Sequence, residues 1–383
     1  MQKTLTARAP ARDAREYEYD YGLYNGRFQI VHEGHLAAYK AVSAKCRRPI
    51  INIGSIEQSR DTRNPLDFEQ RRRIWEIAIK GEFGEDAWSR TTIIGQRDLG
   101  NPVRWASEVE GKVSQVIASD GMEPDEADVA IYGRRKDATS YYLDDFPRYV
   151  LEPVDQVDAL SATHLREQMF EISNSAYASR WLSTQVPRWN EPVLRAFMDT
   201  PAFSDLLIEY KKISDAEKRW AGSPYPVIFC TADAIIVQGN RVLMVKRKFY
   251  PGKGLWALPG GFVEHRERVL EAAIRESTEE TNLAVSRTVL RKSLVETFFE
   301  DDPWRSTGGR RITFPSIFHL RPTPKGKTPA ERRKSMALPY VKDGDDAEIA
   351  AWKTFDEIRE MRPYIYEDHA ILIDKALDRL GLR

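Results

Sequence analysis

Three glutamates stand out as chemistry in this 383-residue sequence: Glu276, Glu279 and Glu280. In a helix running from Glu267 to about Thr281 they occupy positions i, i+3 and i+4, so all three share one face. Ser277 and Thr278 between them carry no charge to relieve the repulsion. Hard oxygen donors gathered in this way suit a divalent cation, Mg²⁺ or Mn²⁺, which also binds phosphate oxygens. Gly260-Gly261 lets the preceding backbone turn sharply, Glu267 opens the helix, and Arg275 is placed to orient a carboxylate by bidentate pairing. The glutamates alone read equally well as a solvated acidic face. Two glycines, Glu267 and Arg275 in register with them favour a metal site. A second group lies near the other end of the sequence, where Gly26-Arg27-Phe28-Gln29 follows an apolar run and His32-Glu33-Gly34-His35 opens a helix. Helix amino termini attract phosphate, and a glycine between two imidazoles allows close approach. Ser161, Thr163 and Arg166 open another helix with hydroxyls, backbone amides and a guanidinium. Taken singly, each of these helix starts is equally an ordinary cap.

The elements that must hold these groups divide the chain in two. YGLYN (21–25), PIINIG (49–54), TTIIG (91–95), ADVAIYG (127–133) and RYVLEPV (148–154) read as short strands alternating with helices, the pattern of a parallel, doubly wound sheet. Such sheets bind ligands beyond their strands' carboxyl ends. Residues 165–186 and 189–222 read as helices, with Leu206, Leu207, Tyr210 and Ile213 at packing intervals. From Tyr225 the pattern turns to strands, with a hairpin at Gln238-Gly239-Asn240, further strands near 284–299, 311–320 and 347–355, and a closing helix over 366–380. Val269, Ala273 and Ile274 give the glutamate helix an apolar stripe for that sheet. The expected organisation is a flexible leader (1–20), a nucleotide-binding domain (21–186), a helical linker (187–222) and a second domain (223–383). Residues 322–346 read as a long surface loop or lid.

Lys plus Arg and Asp plus Glu are both 58, so bulk charge points to neither nucleic acid nor a membrane surface. No apolar run approaches the ~20 residues of a membrane helix. Cys46 and Cys230 lie far apart without metal-like spacing. These features predict a cytoplasmic, reduced protein and leave a homo-oligomer open.

The stretch 260–283, with Gly261, Glu267, Arg275-Glu276 and Glu279-Glu280, resembles the Nudix box. It departs at Ser277, where an aliphatic residue is usual, and at Asn282, where glycine is; Asn is the next best left-handed cap. The resemblance implies an α/β/α sandwich with a mixed sheet and metal-assisted hydrolysis of a nucleoside diphosphate derivative. Glu276, Glu279 and Glu280 would hold the metal, Glu267 would join through water, and Glu276 is favoured as general base.

The first half, with Gly-Arg-Phe-Gln, His-x-Gly-His, Asn64-Pro65, Gly133-x-x-Lys136-Asp137 with Ser140-Tyr141-Tyr142, and Ser-x-Thr-x-x-Arg, resembles nicotinamide mononucleotide (NMN) adenylyltransferases, with Ile30 in place of a usual proline. This implies a Rossmann-like nucleotidylyltransferase making NAD from NMN and ATP. His32 and His35 would contact ATP phosphates, and Arg166 with Thr163 would neutralise the β- and γ-phosphates, Arg27 serving the same groups. Gly26, Phe28, Gln29, Gly34 and Ser161 complete the implied nucleotide site. Trp105 either stacks on nicotinamide or belongs to the core, and Lys136 and Asp137 either serve the site or are loop charges. Asp302-Pro303, Arg305 and Gly309-Arg310 resemble the Nudix branch fused to such transferases, which implies ADP-ribose as second substrate. Alternatives are another nucleoside diphosphate, a different acceptor in the first domain, or a Nudix fold that only senses an NAD metabolite.

Overall fold

The computed structural model describes residues 16–134, 143–154, 161–172, 175–322, 324, 327–331, 336–344 and 346–382. Five strands form the first sheet: β1 (Tyr19–Gly26), β2 (Cys46–Ile53), β3 (Thr92–Gly95), β4 (Val129–Gly133) and β5 (Val150–Pro153). Their order is β3-β2-β1-β4-β5, every pair parallel. The winding reverses between β1 and β4, so a ligand crevice opens beyond Gly26 and Gly133. A parallel sheet must be covered on both faces. Ile51, Ile74, Trp75 and Ile79 fill one core, and Tyr21, Leu23, Ile50, Val109 and Val113 the other. These come from the strands and from α2 (Phe68–Arg90) and α3 (Pro102–Ser119); α1 (Glu33–Lys45) connects β1 to β2. The first strand begins at Tyr19, inside the stretch expected to be leader, because Tyr19 pairs with Cys46 of β2.

Four helices follow: α4 (Ala162–Glu171), α5 (Ser175–Thr184), α6 (Glu191–Met198) and α7 (Pro201–Trp220). Thr200 caps the last, accepting from Phe203 N at 3.2 Å, with Pro201 at its first position. Leu206 joins the core of the first half, while Glu209, on the same helix, accepts from Gly252 N of the second half at 2.7 Å.

The second sheet is mixed: β6 (Ile228–Gln238), β7 (Arg241–Arg247), β8 (Trp256–Ala257), β9 (Gly260–Phe262), β10 (Leu294–Thr297), β11 (Arg310–His319) and β12 (Ala347–Thr354). Its main path is β10-β11-β6-β7-β12, with only β11 and β6 parallel, and β8 and β9 pair with β7 and β6. The hairpin closes where Gln238 meets Arg241, as the glycine there predicts. Helices α8 (Val269–Thr281) and α9 (Arg287–Ser293) cover one face, and α10 (Phe355–Glu360) and α11 (His369–Leu380) the other. Part of the strand expected over 284–299 is therefore helix. Ser286 caps it by accepting from Val289 N, and Leu290 is fully buried beneath it.

Residues 336–344 are tied down, which removes the lid reading for that part of the long loop. Gln238 donates to the Ala337 carbonyl at 3.2 Å and Trp352 to that of Pro339 at 3.0 Å. Lys342 N and Gly344 N donate to Thr281 O and Glu280 O, both at 2.9 Å, satisfying carbonyls at the end of α8. Asn282 ends that helix with φ 44° and ψ 37°, the left-handed cap expected of it.

Candidate active sites

The first site is built on the turn after β1. Gly26 has no room for a side chain, since a Cβ would lie 2.6 Å from the Phe28 ring. That ring is 3% exposed and packs edge-on against Trp75 and His35, both at 5.1 Å. Phe28 is therefore a wall behind His35 rather than a nucleotide contact. Gln29, also 3% exposed, makes a reciprocal pair with Leu66: its Oε1 accepts at 2.9 Å and its Nε2 donates at 3.3 Å. It braces the Asn64-Pro65 loop. Ile30, in place of the usual proline, is fully buried in the same core. The turn is pinned from its other side by residues of the expected linker, Trp189 and Asn190. Both donate to the Val31 carbonyl, at 2.8 and 2.7 Å, and Asn190 Oδ1 accepts from Val31 N at 3.1 Å.

His32 and His35 stack at 3.7 Å between ring centroids, with Nδ1 of His35 accepting from His32 N at 3.3 Å. Gly34 follows within the first turn of α1. Ser161 caps α4, its Oγ accepting from His164 N at 3.1 Å, so this hydroxyl is occupied in the structure. Thr163 accepts from Nη2 of Arg166 at 3.1 Å and orients that guanidinium. Burial, with the like charges of Arg27 and Arg63, lowers Arg166 to about 10. The positive charges of Arg27 and Arg63 act on Arg166 against the carboxylates of Asp61 and Glu167. Arg27 is exposed. Trp105 is half-buried on α3, 6.0 Å from Phe146, against the second core. Lys136, Asp137 and Ser140-Tyr141-Tyr142 lie outside the described residues.

Arg71 is a support that the sequence hid. At 1% exposure it donates to the carbonyls of Arg27 (2.8 Å), Gly54 (2.7 Å) and Asp67 (3.1 Å), knitting the ends of β1 and β2 together. Burial lowers it to about 10. Arg63, on the same loop as Asn64, reaches into the second half and donates to the carbonyls of Trp304 and Ser306.

The second site centres on Arg275. Its guanidinium grips Glu267 with Nε and Nη2, both at 3.0 Å, and donates through Nη1 to Glu276 at 2.8 Å and Glu279 at 3.0 Å. The helix thus carries its own countercharge, which the uncharged Ser277 and Thr278 did not suggest. Ser277 is itself fully buried and turns its hydroxyl to the Ile274 carbonyl at 2.9 Å, so a polar residue fits an apolar position. Glu280 escapes Arg275: it is 9% exposed and accepts from Gly260 N at 3.1 Å. Burial, helped by the charges of Glu276 and Asp346, raises it to about 8. Burial also raises Glu276, despite its bond to Arg275, whereas the hydrogen bonds of Arg275 lower Glu267. Asp346, just before β12, adds a carboxylate that the motif does not contain.

Among the described residues no three ligand groups are gathered into a ready cation cage. The donors nonetheless fit a hard divalent cation. Gly261 leaves a cradle that the Glu276 carboxyl fills, where a Cβ would stand 2.7 Å from its Cδ. Beside it, Glu280 is a buried carboxyl without a bonded cation, the situation a metal ion relieves.

No helix among the described residues is long and apolar enough to cross a membrane. A cytidylyltransferase-like family model matches residues 23–97, and a NUDIX domain model matches residues 230–376. A nicotinamide/nicotinic acid mononucleotide adenylyltransferase of Acinetobacter baylyi is 26% identical over 196 residues, 51% of this chain and 95% of its own length. An ADP-ribose pyrophosphatase of Methanocaldococcus jannaschii is 57% identical over 51 residues, 13% of this chain and 30% of its own. The crystal structure of a bifunctional NMN adenylyltransferase/ADP ribose pyrophosphatase from Francisella tularensis, complexed with AMP and a manganese ion, matches with a TM-score of 0.81 at 30% identity. It covers 95% of this chain and 100% of its own. With both halves matched in one relative along that relative's whole length, the chain belongs to the bifunctional NMN adenylyltransferase/ADP-ribose pyrophosphatase family.

Proposed function

We propose that the two halves act at opposite ends of NAD turnover. The amino-terminal half transfers adenylyl from ATP to NMN, giving NAD and pyrophosphate, and the carboxy-terminal half hydrolyses ADP-ribose to AMP and ribose 5-phosphate. The observation that carries this reading is the pairing, in one chain, of the stacked His32–His35 pair opening α1 beyond the switch-point strand β1 with the Gly261–Glu276 cradle.

In the transferase the NMN phosphate attacks the α-phosphate of ATP in line, and pyrophosphate leaves with the bonding electrons. No covalent intermediate with the protein forms, so the chain's work is positioning and charge neutralisation. His32 and His35, held against Phe28, meet the phosphates at the start of α1. Arg166, oriented by Thr163, and Arg27 take the charge that builds on pyrophosphate. Trp105 offers a half-buried ring to nicotinamide, and Lys136 and Asp137 are assigned to the nucleotide by their motif alone.

In the hydrolase Glu276, Glu279 and Glu280 are the residues that would hold Mg²⁺, or Mn²⁺ in its place, with Glu267 in support. Such an ion, when bound, polarises the diphosphate and lowers the pKa of the attacking water. Arg275 holds Glu267 with two arms and donates to Glu276 and Glu279, the carboxylates that would turn to the ion. Glu276 takes the proton from the attacking water. The protein works in the cytoplasm as a reduced chain; Cys46 is buried, Cys230 exposed, and both are free thiols.

Two substitutions test the assignment. Glu276→Gln should cut AMP release by roughly 10²-fold or more while NAD synthesis stays near wild type. His35→Ala should do the reverse. Equal loss of both activities in either variant contradicts two independent sites.

A further inference from the structure

Phe262, the residue after Gly261, holds its ring 55% exposed at the edge of the hydrolase cradle. Its backbone is fixed all the same. The Phe262 carbonyl accepts from Arg275 Nη2 at 3.2 Å, the guanidinium that also holds Glu267, Glu276 and Glu279. Across the β9–β6 pair Phe262 faces Thr231, and Phe229 stands two residues earlier on the same face of β6. The rings of Phe262 and Phe229 lie 5.7 Å apart at 63°. Phe229 is met in turn by Trp220, the last residue of α7, at 5.7 Å and 73°. Trp220 is itself 53% exposed, on a helix whose Phe203 and Leu206 belong to the core of the first half. A row of rings, packed edge to face, therefore runs from the cradle to the helix that joins the two halves.

Arg311 bounds the row. It is the register partner of Phe229 on β11, which sets its side chain on the same face, and its Cζ lies 5.8 Å from the centroid of the Phe262 ring. Its charge is answered by Glu367 at 3.8 Å, and its Nη1 donates to Tyr366 Oη at 3.4 Å. What the row offers a ligand is therefore flat apolar surface rather than a countercharge. Contiguous exposed apolar surface of this kind marks a binding site. The cradle beside it selects the occupant. A nucleoside diphosphate derivative with its phosphates at Glu276 carries a flat base at one end, and bases stack on aromatic faces. A sugar at the other end is saturated and polar, and gains far less from a ring.

We infer that Trp220, Phe229 and Phe262 form the shelf on which the base of the hydrolase's nucleoside diphosphate substrate stacks, so that α7 takes part in substrate recognition by the second half. Phe262 makes the face contact, Phe229 backs it, and Trp220 forms the outer rim. The inference deepens the hydrolase reading above and rests on it. It gives the joining helix a role in the second active site, beyond linking that site to the first.

The test uses the full chain with Mg²⁺ and initial rates of ADP-ribose hydrolysis, with AMP and ribose 5-phosphate added separately as product inhibitors. AMP carries the base and ribose 5-phosphate does not. Phe262→Ala should raise both the KM for ADP-ribose and the inhibition constant of AMP roughly tenfold or more. It should leave kcat and the inhibition constant of ribose 5-phosphate within about twofold of wild type. The carbonyl that Arg275 holds is backbone, so the substitution keeps it. Phe262→Tyr, which retains a π-face, should stay near wild type, and Phe262→Leu, which retains only apolar bulk, should fall between Tyr and Ala. Trp220→Ala should move the same two constants by roughly threefold. NAD synthesis and melting temperature of each variant should match wild type. Unchanged KM and AMP inhibition in Phe262→Ala would overturn the inference; if self-association were lost at the same time, the rings would belong to a contact with a second copy. Equal weakening of AMP and ribose 5-phosphate would also overturn it, because a distorted cradle moves both. A wild-type chain that releases no AMP from ADP-ribose would instead overturn the hydrolase reading on which it rests.

Discussion

Gly261→Ala isolates the contact on which the hydrolase site depends. Gly261 has no left-handed φ, so alanine brings no backbone strain there; its effect is the contact alone. The new Cβ would stand 2.7 Å from Glu276 Cδ, where ordinary contact begins near 3.4 Å. The difference, 3.4 − 2.7, means that the carboxyl must retreat by about 0.7 Å, and its Oε1 by more. A ligand displaced by nearly an ångström costs on the order of 10²-fold in rate, about 2.7 kcal/mol of barrier. The obstructing group is the far end of a side chain, so global stability should hardly change. The assay is AMP release from ADP-ribose across a Mg²⁺ or Mn²⁺ titration, with NAD synthesis by the same preparation as the control for folding. The variant should lose roughly 30- to 100-fold in hydrolysis at saturating substrate, require more metal, and make NAD at the wild-type rate. Hydrolysis within threefold of wild type at equal metal would refute the cradle argument.

Two further substitutions probe stability. Gly344→Ala would bring a Cβ within 2.9 Å of the carbonyl carbons of Glu279 and Glu280. Both sides are backbone, so the loop must lift off α8, and we expect a loss of about 2–4 kcal/mol in urea unfolding together with weakened hydrolysis; a wild-type midpoint would contradict this. His369 accepts from Leu258 N at 2.9 Å, and burial lowers its pKa from 6.5 to about 4. The folded state therefore resists a proton that the unfolded chain takes up. Stability from this group is complete above pH 6.5 and drains away as pH falls toward 4. The gap of 6.5 − 4 corresponds to about 3 kcal/mol at the acid end. His369→Asn, which keeps an acceptor but cannot titrate, should gain on wild type by about 2.5 kcal/mol between pH 7.5 and pH 4.5 in paired unfolding curves. A constant difference across that range would exclude His369 as the source.

What could be read before folding was what is local in the chain. The three glutamates lie on one helix, so spacing alone places them on one face; that helix begins at Val269 rather than at Glu267, and Glu267 is brought to it by Arg275. The five parallel strands of a doubly wound sheet followed from alternation with helices, though not their order, and the hairpin at Gly239 followed from its turn residues. Orientation was less legible. Phe28 and Gln29 stand in a motif that suggests ligand contact, yet both point into the core, where a ring wall and an amide brace shape the loop. Ser161 acts as the cap that its position equally allowed. Long-range partners were invisible: Asn190 meets Val31 across 159 residues, and Arg63 meets Ser306 across 243. Arg71 stands in the run Arg71-Arg72-Arg73, and only the carbonyls around it identify it as a buried clamp. Asp346 belongs to no motif, and its charge acts on Glu276 and Glu280 from just before β12.

The measurement that tests the central claim most directly is nucleotide chromatography after incubating the purified full chain with Mg²⁺, once with NMN plus ATP and once with ADP-ribose alone. The account predicts NAD with pyrophosphate from the first mixture, and AMP with ribose 5-phosphate from the second. Absence of NAD, or of AMP, would contradict the assignment of the corresponding half.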